Sequence, residues 1–521
     1  MIGSETGHRV EFATLAAFAL AGFAIVLFVT SQNVGMTPDS AHYVAAARNL
    51  VNGEGLTVFV DGRQVPLTHY PPLLPLLLAI AGSLGVDPLI GVRWLNAISF
   101  AGSIVFAGYL ARLIVPGSAL ASLAAAFLVL TSRVLYGVHA MAWSEPVFIC
   151  LTLAGLVLLA RYFERQAFWL LILAAALAGL ALMTRYLGVV LISAGVLALF
   201  CVDHKRFYDK VAHVVIFGAI ACAPLFLWLV RNLMLEDTVA NRRPAVHIVS
   251  LSTLNDGLET IAFWFASSHV AGSVFGVLVL VGLIIGVLYF RHKFRHVSEA
   301  DGGAALRPSS MTTFAAIGIY VGCYPIVVVT SISLFDIHTP LNNRILSPVH
   351  LLLLVLLVST AVFFLRHGGA KWLGTYLAVP LLAVAVVLHV VRAPTWLLWN
   401  SDAVMEYGSA RWRESETIAF VRQLPPSTVI YTNGPEVIYL RTGAIARRLP
   451  LSADIDTLQP NKGYHIALMD MANTLRRTGG YLVYFHGIHP PFLPFLSEFW
   501  DKLPLDLVYE ANDGLAARLS D

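Results

Sequence analysis

The sequence predicts a mostly α-helical, polytopic membrane protein that ends in a small α/β domain outside the membrane. Of its 521 residues, 58% are hydrophobic and only 12% are charged, whereas soluble globular domains carry roughly 25% charged residues. Many apolar residues lie in runs near the length of about 20 residues that a helix needs to cross a bilayer. After residue 395 the long runs stop, and short helix-like and strand-like segments alternate.

Apolar runs predict eleven membrane-spanning helices. They lie near residues 10–30, 93–115, 118–131, 142–161, 167–183, 186–202, 211–232, 270–290, 311–333, 345–365 and 371–391. We interpret the first run as an uncleaved span, because no small-residue cleavage site follows it. The stretch "PPLLPLLLAIAGSLG" (71–85) is shorter and rich in proline, which favours an interfacial or re-entrant helix. If it crosses the bilayer, the number of spans becomes twelve.

The distribution of lysine predicts the orientation of the spans. Lysine and arginine are enriched in cytoplasmic loops. With the N-terminus inside, every lysine before residue 400 falls in a cytoplasmic loop. An odd number of spans then places the first loop (31–92) and the C-terminus on the outer side. We therefore predict a transmembrane domain over 1–395 and an extracytoplasmic α/β domain over 396–521.

Short alternating segments make up the predicted C-terminal domain. "TVIYT" and "YLVYF" predict strands, and "PEVIYLRTG" predicts a short helix between them. The stretch "ARWRESETIAFVRQL" (410–424) predicts one amphipathic helix. "LDLVYEA" and "GLAARLS" predict further strands after a helix at 491–502.

Charge and motifs exclude several classes of function. The net charge of +3 and the lack of a basic patch interleaved with aromatic residues argue against a nucleic-acid partner. The four cysteines lie in or beside apolar runs without CxxC spacing, which predicts buried, chemically inert side chains. The sequence contains no P-loop, GxGxxG, HExxH or GxSxG motif.

A polar helix directly follows the first span, in "GMTPDSAHYVAAARNLVNGEGL" (35–56). Thr37 and Pro38 predict its start, since proline at the first helical position loses no needed N–H group. Asp39 then lies in the first turn, where the helix dipole favours its charged form. Tyr43 is four residues further along and shares its face. Asp39 is therefore either a capping residue or a candidate catalytic carboxylate.

Two other outer stretches carry candidate side chains. His69 and Tyr70 stand in "LTHYPPLLPLLL" (67–78), where they form part of a site or of an interfacial aromatic belt. Glu145 stands in "HAMAWSEPVF" (139–148), just before a proline that starts a helix. A glutamate in this position is either a helix cap or the wall of a site.

Three arginines lie at outer span ends: Arg185, Arg231 and Arg344. Arginines near a membrane commonly snorkel or form ion pairs. Three on the same face, with no lysine nearby, suggest an anion-binding cluster instead. A guanidinium binds phosphate oxygens in a fork and stays charged in an apolar setting.

Several stretches together resemble the GT-C superfamily of integral membrane glycosyltransferases. They are "PDSAHYVAAARNLVNGEGL", "THYPPLLPLLLAIAGSLG", "VRWLNAISF", "MTRYLGVVL" and "NNRILSPVHLLLL", within roughly residues 10–365. The resemblance is to the branch of protein O-mannosyltransferases, the aminoarabinose transferase acting on lipid A, and RgtA/B/C/D-like bacterial transferases. The C-terminal "RWRESETIAFVRQLPPSTVIYTNGPEVIYLRTG" also resembles the tail of RgtA/B/C/D-like proteins.

The resemblance implies roles for individual residues. Asp39 matches the aspartate of the first external loop, which in the superfamily is the general base on the acceptor hydroxyl. Ser40 departs from the many relatives that have glutamate there. The aminoarabinose transferases have lysine before the prolines of "THYPP", so His69 or Tyr70 would contact the donor phosphate here. Arg185 and Arg344 match arginines that recur in the family.

The resemblance also implies an activity and its partners. We expect a bacterial inner-membrane glycosyltransferase that moves a sugar, with inversion, from a polyprenyl-phosphate donor to a glycan, lipid or protein. Tyr43, Glu145 and Arg231 join the expected substrate-binding residues. The sequence establishes no cofactor; the one candidate is a divalent cation, Mg²⁺ or Mn²⁺, for which Asp39 is a suitable ligand. The alternatives are a transporter or flippase of lipid-linked sugars, or an assembly protein that binds through its α/β tail.

Overall fold

The computed structural model consists of long packed helices, a folded first loop (31–92) and a C-terminal α/β unit. It describes residues 2–520 apart from 203–204, 237–245, 247, 267–271, 275, 278–280, 282–307, 336–338, 367–375, 377–378, 401–404 and 456–457. The predicted fold class, a mostly helical polytopic membrane protein with a small C-terminal sheet, is confirmed.

The elements up to residue 400 are almost all helical. They are α1 (Ile2–Val29), α2 (Pro38–Val51), β1 (Thr57–Val60), β2 (Arg63–Pro66), α3 (Leu73–Ser83), α4 (Pro88–Ile114), α5 (Ala119–Leu130), α6 (Arg133–His139), α7 (Glu145–Arg165), α8 (Phe168–Thr184), α9 (Val189–Leu197), α10 (Phe207–Glu236), α11 (Leu251–Phe265), α12 (Pro308–Phe335), α13 (Asn343–Arg366) and α14 (Val379–Thr395). Short polar side chains start several of them: Asp87 Oδ1 accepts from Leu89 N at 2.9 Å, and Ser118 Oγ accepts from Ala121 N at 3.2 Å. These are ordinary helix N-caps.

Seven of the described helices are long and apolar enough to cross a membrane: α1, α4, α7, α10, α12, α13 and α14. The pair α5–α6, bent by 57°, makes an eighth if it is one broken span. The predicted spans 167–183 and 186–202 correspond to shorter apolar helices, and the predicted span 270–290 falls mostly outside the described residues. The total of eleven or twelve spans therefore stays a prediction.

The transmembrane helices share one apolar core, and α13 lies at its centre. α13 is hydrophobic on all sides and buried along almost its whole length. A helix of this kind must be surrounded by other helices. α3 has 11 residues, about 16 Å at 1.5 Å per residue, and is too short to span a bilayer. This agrees with the interfacial or re-entrant helix expected for 71–85.

The first loop also contains a hairpin that the sequence interpretation missed. Strands β1 and β2 pair antiparallel around Asp61 and Gly62, which both have positive φ, 49° and 75°. Asp-Gly is a strong signal for a two-residue hairpin turn, because glycine adopts this backbone at no steric cost. The signal was therefore present in the sequence.

The C-terminal unit is a five-stranded mixed sheet with helices. Its elements are α15 (Ala410–Arg413), α16 (Glu416–Gln423), β3 (Ile430–Thr432), α17 (Pro435–Thr442), β4 (Arg447–Arg448), α18 (Tyr464–Thr478), β5 (Tyr481–Phe485), α19 (Leu496–Lys502), β6 (Leu505–Ala511) and β7 (Gly514–Leu519). The strand order is β4-β3-β5-β7-β6, with β3 parallel to β4 and β5 and the other pairs antiparallel. The predicted domain limits, 1–395 and 396–521, stay a prediction.

One helix prediction in this unit is wrong. The stretch 410–424 forms two helices, because Ser415 starts a new one: its Oγ accepts from Ile418 N at 3.0 Å and donates to Asp513. Helix α18 was missed altogether, although Tyr464, Leu468 and Met471 repeat with helical spacing and are buried.

A short backbone junction joins the first loop to the C-terminal part. Gly35 N donates to Ala140 O at 2.8 Å, and Ala142 N donates to Gly35 O at 2.7 Å. Met36 N donates to Met405 O at 3.1 Å, and Tyr407 N donates to Met36 O at 3.0 Å. The chain entering α2 is therefore held on both sides, which fixes the position of the first turn of α2.

Candidate active site

The first turn of α2 is held by hydrogen bonds that leave the Asp39 carboxylate available. Thr37 N donates to Ser40 Oγ at 3.0 Å, and Ser40 Oγ donates to Ala142 O at 2.9 Å. Trp143 Nε1 donates to Thr37 Oγ1 at 2.8 Å. The N-cap of α2 is Thr37. Of the two roles that the sequence allowed for Asp39, helix capping is therefore excluded.

Asp39 binds two side chains from distant parts of the chain. Tyr70 Oη donates to Asp39 Oδ1 at 2.9 Å, and Arg344 Nη2 donates to Oδ2 at 2.5 Å. Burial alone would raise the pKa of Asp39, but the charge and hydrogen bond of Arg344, helped by Tyr70, lower the pKa to about 2. Asp39 is therefore a carboxylate at neutral pH.

Glu145, the first residue of α7, is buried and binds two arginines. Its Oε1 accepts from Arg344 Nε at 2.5 Å and lies 2.5 Å from Arg185 Nη1. Arg185, which ends α8, also donates to Ser144 Oγ at 3.1 Å. Of the two roles considered for Glu145, the contacts favour the wall of a site.

These four side chains form an acid–arginine cluster: Asp39, Glu145, Arg185 and Arg344. Two carboxylates and two guanidiniums alternate, so the cluster is neutral in total. Arg344 lies between both acids, and its guanidinium stacks at 4.3 Å over the Trp143 ring. Two buried atoms, Glu145 Oε2 and Arg185 Nε, have no hydrogen-bond partner among the described residues. Unsatisfied buried polar atoms are costly and are common at functional sites.

Tyr43 and Tyr70 form the aromatic side of the cluster. Their rings meet edge to face with centroids 5.2 Å apart. Tyr43 Oη lies 3.5 Å from Ser144 Oγ, and burial raises the pKa of Tyr43, with the charge of Asp39 adding to the effect. Tyr43 is consequently a neutral phenol. His69 packs on Tyr70 at 4.6 Å and so lies one residue behind the cluster.

Arg231 lies in a different group from the other two arginines. Its Nη1 donates to Leu67 O at 2.8 Å, and its guanidinium stacks at 4.6 Å on Trp228. The next residue, Asn232, donates to Thr68 O at 3.4 Å. Arg231 therefore supports the segment that leads into His69 and Tyr70, and the three arginines do not form a single cluster.

Ser40, Trp143 and Ser144 are positioning residues that the sequence interpretation did not select. Trp143 and Ser144 directly precede Glu145 in the chain, so their proximity to that carboxylate was predictable from the sequence. Their contacts with Thr37 and Tyr43 could not be predicted from the sequence, because α2 lies about a hundred residues earlier in the chain.

The residues that the structure describes contain no group of three His, Cys, Asp or Glu side chains suited to a metal ion. Asp39 and Glu145 both form an ion pair with the guanidinium of Arg344, so an arginine side chain provides the positive charge between these two carboxylates. A role for Mg²⁺ or Mn²⁺ stays a prediction.

Comparison with known proteins identifies the architecture. The family described as dolichyl-phosphate-mannose-protein mannosyltransferase matches residues 69–228. ArnT from Cupriavidus metallidurans, in the structure bound to undecaprenyl phosphate, superposes with a TM-score of 0.57 at 12% identity, covering 96% of this chain and 97% of ArnT. This chain has the GT-C fold.

Two further GT-C structures agree. AglB from Archaeoglobus fulgidus, an oligosaccharyltransferase, has a TM-score of 0.56 at 12% identity, with 99% of this chain and 75% of AglB covered. The mycobacterial arabinofuranosyltransferase AftD has a TM-score of 0.51 at 12% identity and covers 97% of this chain, which spans 41% of AftD. No protein with a curated function matches this sequence. The matched family segment includes Glu145 and Arg185 but neither Asp39 nor Arg344.

Proposed function

We propose that the protein is a glycosyltransferase of a bacterial inner membrane that takes a sugar from a polyprenyl-phosphate donor. The observation that carries the proposal is the acid–arginine cluster, which joins a carboxylate of the first external loop to arginines at span ends. A lipid-linked sugar would lie with its tail among the spans and its phosphate at this level. The GT-C fold, and the undecaprenyl phosphate bound by ArnT, support the donor class.

The reaction is a single displacement on the anomeric carbon. The acceptor hydroxyl oxygen attacks that carbon, the new C–O bond forms, and the bond to the phosphate oxygen breaks. The polyprenyl phosphate leaves with the bonding electrons, and the hydroxyl proton passes to Asp39. This displacement inverts the anomeric centre. Asp39 is the general base, and the guanidiniums stabilise the departing phosphate.

The ion pair of Asp39 with Arg344 decides when Asp39 can act as a base. A carboxylate whose pKa is about 2 accepts a proton poorly at neutral pH. A phosphate that binds Arg344 would compete with Asp39 for the same guanidinium and raise the pKa of Asp39. Donor binding would thereby activate the base, and the free carboxylate without donor would stay inactive.

The test is transfer from a radiolabelled polyprenyl-phosphate sugar in membranes that contain Asp39→Asn. We expect normal insertion and transfer near background. Glu54→Gln is the matched control, because Glu54 is an exposed carboxylate of the same loop that hydrogen-bonds Gln64. Wild-type transfer by Asp39→Asn would remove Asp39 as the base, and movement of lipid-linked sugar across vesicles without transfer would favour a flippase.

A further inference from the structure

A cavity of about 520 Å³ lies between α2, the β1–β2 hairpin and the C-terminal unit. Pockets for small organic ligands have volumes of about 300–1,000 Å³. Helix α2 contributes Ala41, His42 and Ala45, and the β1–β2 hairpin contributes Phe59 and Asp61. Of the residues that line it, none belongs to the acid–arginine cluster.

The charged side chains that line this cavity are mostly acidic. It contains three carboxylates, Asp61, Glu436 and Asp470, and one guanidinium, Arg448. Glu436 and Arg448 form an ion pair. Among the described residues, no cationic side chain forms a salt bridge with Asp61 or Asp470. The excess of negative charge disfavours a ligand that carries phosphate or carboxylate.

Aromatic rings and hydrogen-bonding groups line the same space. Phe59 and Tyr439 pack with ring centroids 5.6 Å apart, and Tyr431 and Asn461 also line the cavity. Carboxylates accept hydrogen bonds from hydroxyl groups, while an amide or guanidinium donates to them. Aromatic faces bury the C–H side of a sugar ring. This combination suits a neutral, polyhydroxylated ligand.

The wall formed by α2 connects the cavity to Asp39. His42 is one helical turn after Asp39, and its ring lies 5.6 Å from that of Tyr70, whose hydroxyl donates to Asp39. Burial lowers the pKa of His42, although Glu436 and Asp39 oppose the effect, so the His42 ring is neutral at pH 7. A ligand in this cavity therefore meets an uncharged donor–acceptor group beside the site.

We propose that this cavity binds the acceptor, and that the acceptor is a neutral carbohydrate. The proposal rests on the proposed function, because only a transferase has an acceptor. It also gives the C-terminal unit a role: the segment from β3 to α18, including its connections, supplies most of the cavity wall, and α2 supplies the link to Asp39.

The test uses ligand-detected NMR on the full-length protein in detergent. The probes are neutral mono- to trisaccharides of hexoses, pentoses and N-acetylhexosamines, with glucose 6-phosphate and glucuronic acid as anionic comparators. Ala467→Trp fills the cavity from the exposed face of α18. Ile466→Trp is the control, since Ile466 is 70% exposed on the same helix and does not line the cavity.

We expect at least one neutral saccharide to bind and both anionic comparators not to bind. Ala467→Trp should weaken that binding about tenfold or more, which equals roughly 1.4 kcal/mol, and Ile466→Trp should not change it. Asp39→Asn should retain binding while it loses transfer. No binding by any neutral saccharide, stronger binding of the anions, or an unchanged affinity in Ala467→Trp would overturn the proposal.

The two proposals fail in different ways. If Asp39→Asn keeps transferring sugar while neutral saccharides bind the cavity, the catalytic assignment is wrong and the cavity assignment stands. If transfer depends on Asp39 and the saccharides do not bind, only the cavity assignment is wrong.

Discussion

Arg344, at the start of α13, donates a hydrogen bond of 2.5 Å to Asp39, which lies 305 residues earlier in the chain. The same guanidinium binds Glu145 at the start of α7. One side chain therefore holds together the first loop and the starts of α7 and α13. It is also the group that keeps the Asp39 carboxylate ionised, so the candidate base and the candidate phosphate ligand are coupled.

Asp39→Asn should abolish transfer while the protein still inserts. The amide keeps the shape of the carboxylate and still accepts from Tyr70, but it cannot take the proton of the acceptor. We expect a loss of at least about a hundredfold, since general base catalysis contributes roughly 10²–10⁴ in rate. Single-turnover transfer in membranes, scaled to the amount of protein by immunoblot, measures it.

Glu54→Gln should retain wild-type transfer in the same assay, because the exposed Glu54 carboxylate accepts a hydrogen bond from Gln64 and lies outside the acid–arginine cluster. A similar loss in both variants would mean that the first loop is sensitive to any change of charge. In that case the loss in Asp39→Asn would say nothing about a base.

Arg344→Lys and Arg344→Ala should separate charge from geometry. Lysine keeps one positive charge but cannot bind Asp39 and Glu145 together in a fork. We expect Arg344→Lys to fold and to lose most transfer. Arg344→Ala leaves two neighbouring carboxylates without their shared cation, which should destabilise the protein by about 3–5 kcal/mol. Thermal unfolding in detergent and transfer activity distinguish the two; equal stability of both variants would contradict the shared-cation interpretation.

The sequence analysis selected several residues that the structure brings together, but it did not predict how they pair. Asp39, Tyr70, Glu145, Arg185 and Arg344 were all candidates because they are polar residues on the predicted outer side, and the structure brings them together. The pairing was not predictable, because it depends on how α2, α7, α8 and α13 pack. Helical periodicity within one segment contains no information about its distant neighbours.

The same reasoning explains the errors in the fold. Spans were predicted well wherever apolar runs exceed the bilayer thickness, as in α4 and α7. The break at Ser415 was missed because helical periodicity continues through a residue whose side chain caps the next helix. Arg231 was grouped with the other arginines on position alone, but its hydrogen bond to the Leu67 carbonyl depends on tertiary structure.

The pH dependence of stability should report on the Asp39–Arg344 pair. The pKa of Asp39 falls from an ordinary 3.8 to about 2 in the folded protein. A lowered pKa contributes stability that is present above about pH 4 and is lost as the pH falls towards 2. When the pH falls from 6 to 3, the contribution of this pair to the free energy of unfolding should decrease by about 1 kcal/mol.

Asp39→Asn lacks this titration. The difference in free energy of unfolding between this variant and the wild type should therefore change by about 1 kcal/mol over the same pH range. Thermal unfolding of both proteins at pH 6, 4 and 3 measures the change. A gap that stays constant with pH would show that Arg344 does not hold the carboxylate in its charged form.

Gly35→Ala should weaken the junction that positions α2. A Cβ at Gly35 would lie 2.0 Å from the Sδ of the buried Met141 and 3.2 Å from the Cα of Met405. Overpacking of this kind costs about 1–3 kcal/mol, and we expect lower stability together with lower transfer. Gly218→Ala is the control, because its Cβ would meet nothing within 4 Å in α10. Unchanged transfer in Gly35→Ala would mean that the junction does not position Asp39.

Ser40→Glu should inactivate the protein, although many members of the family that this sequence resembles have glutamate at the corresponding position. Ser40 is fully buried, and its hydroxyl links Thr37 N to Ala142 O. A glutamate here would lose both hydrogen bonds and place a third carboxylate beside Asp39 and Glu145, opposite only two arginines. Burying an unpaired charge is strongly destabilising, so we expect poor insertion and a loss of thermal stability.

Ser40→Ala should cost less, about 1–3 kcal/mol for the unsatisfied Ala142 carbonyl, and should keep measurable transfer. Ser83→Glu, at an exposed serine on α3, controls for the added charge. If Ser40→Glu folded and transferred sugar as well as the wild type, the loop would accommodate the relatives' acid pair. The balance of two acids and two arginines would then not be required. If it fails while Ser40→Gln, which has the same size without the charge, folds and transfers sugar, the charge balance of the cluster explains why serine stands at this position.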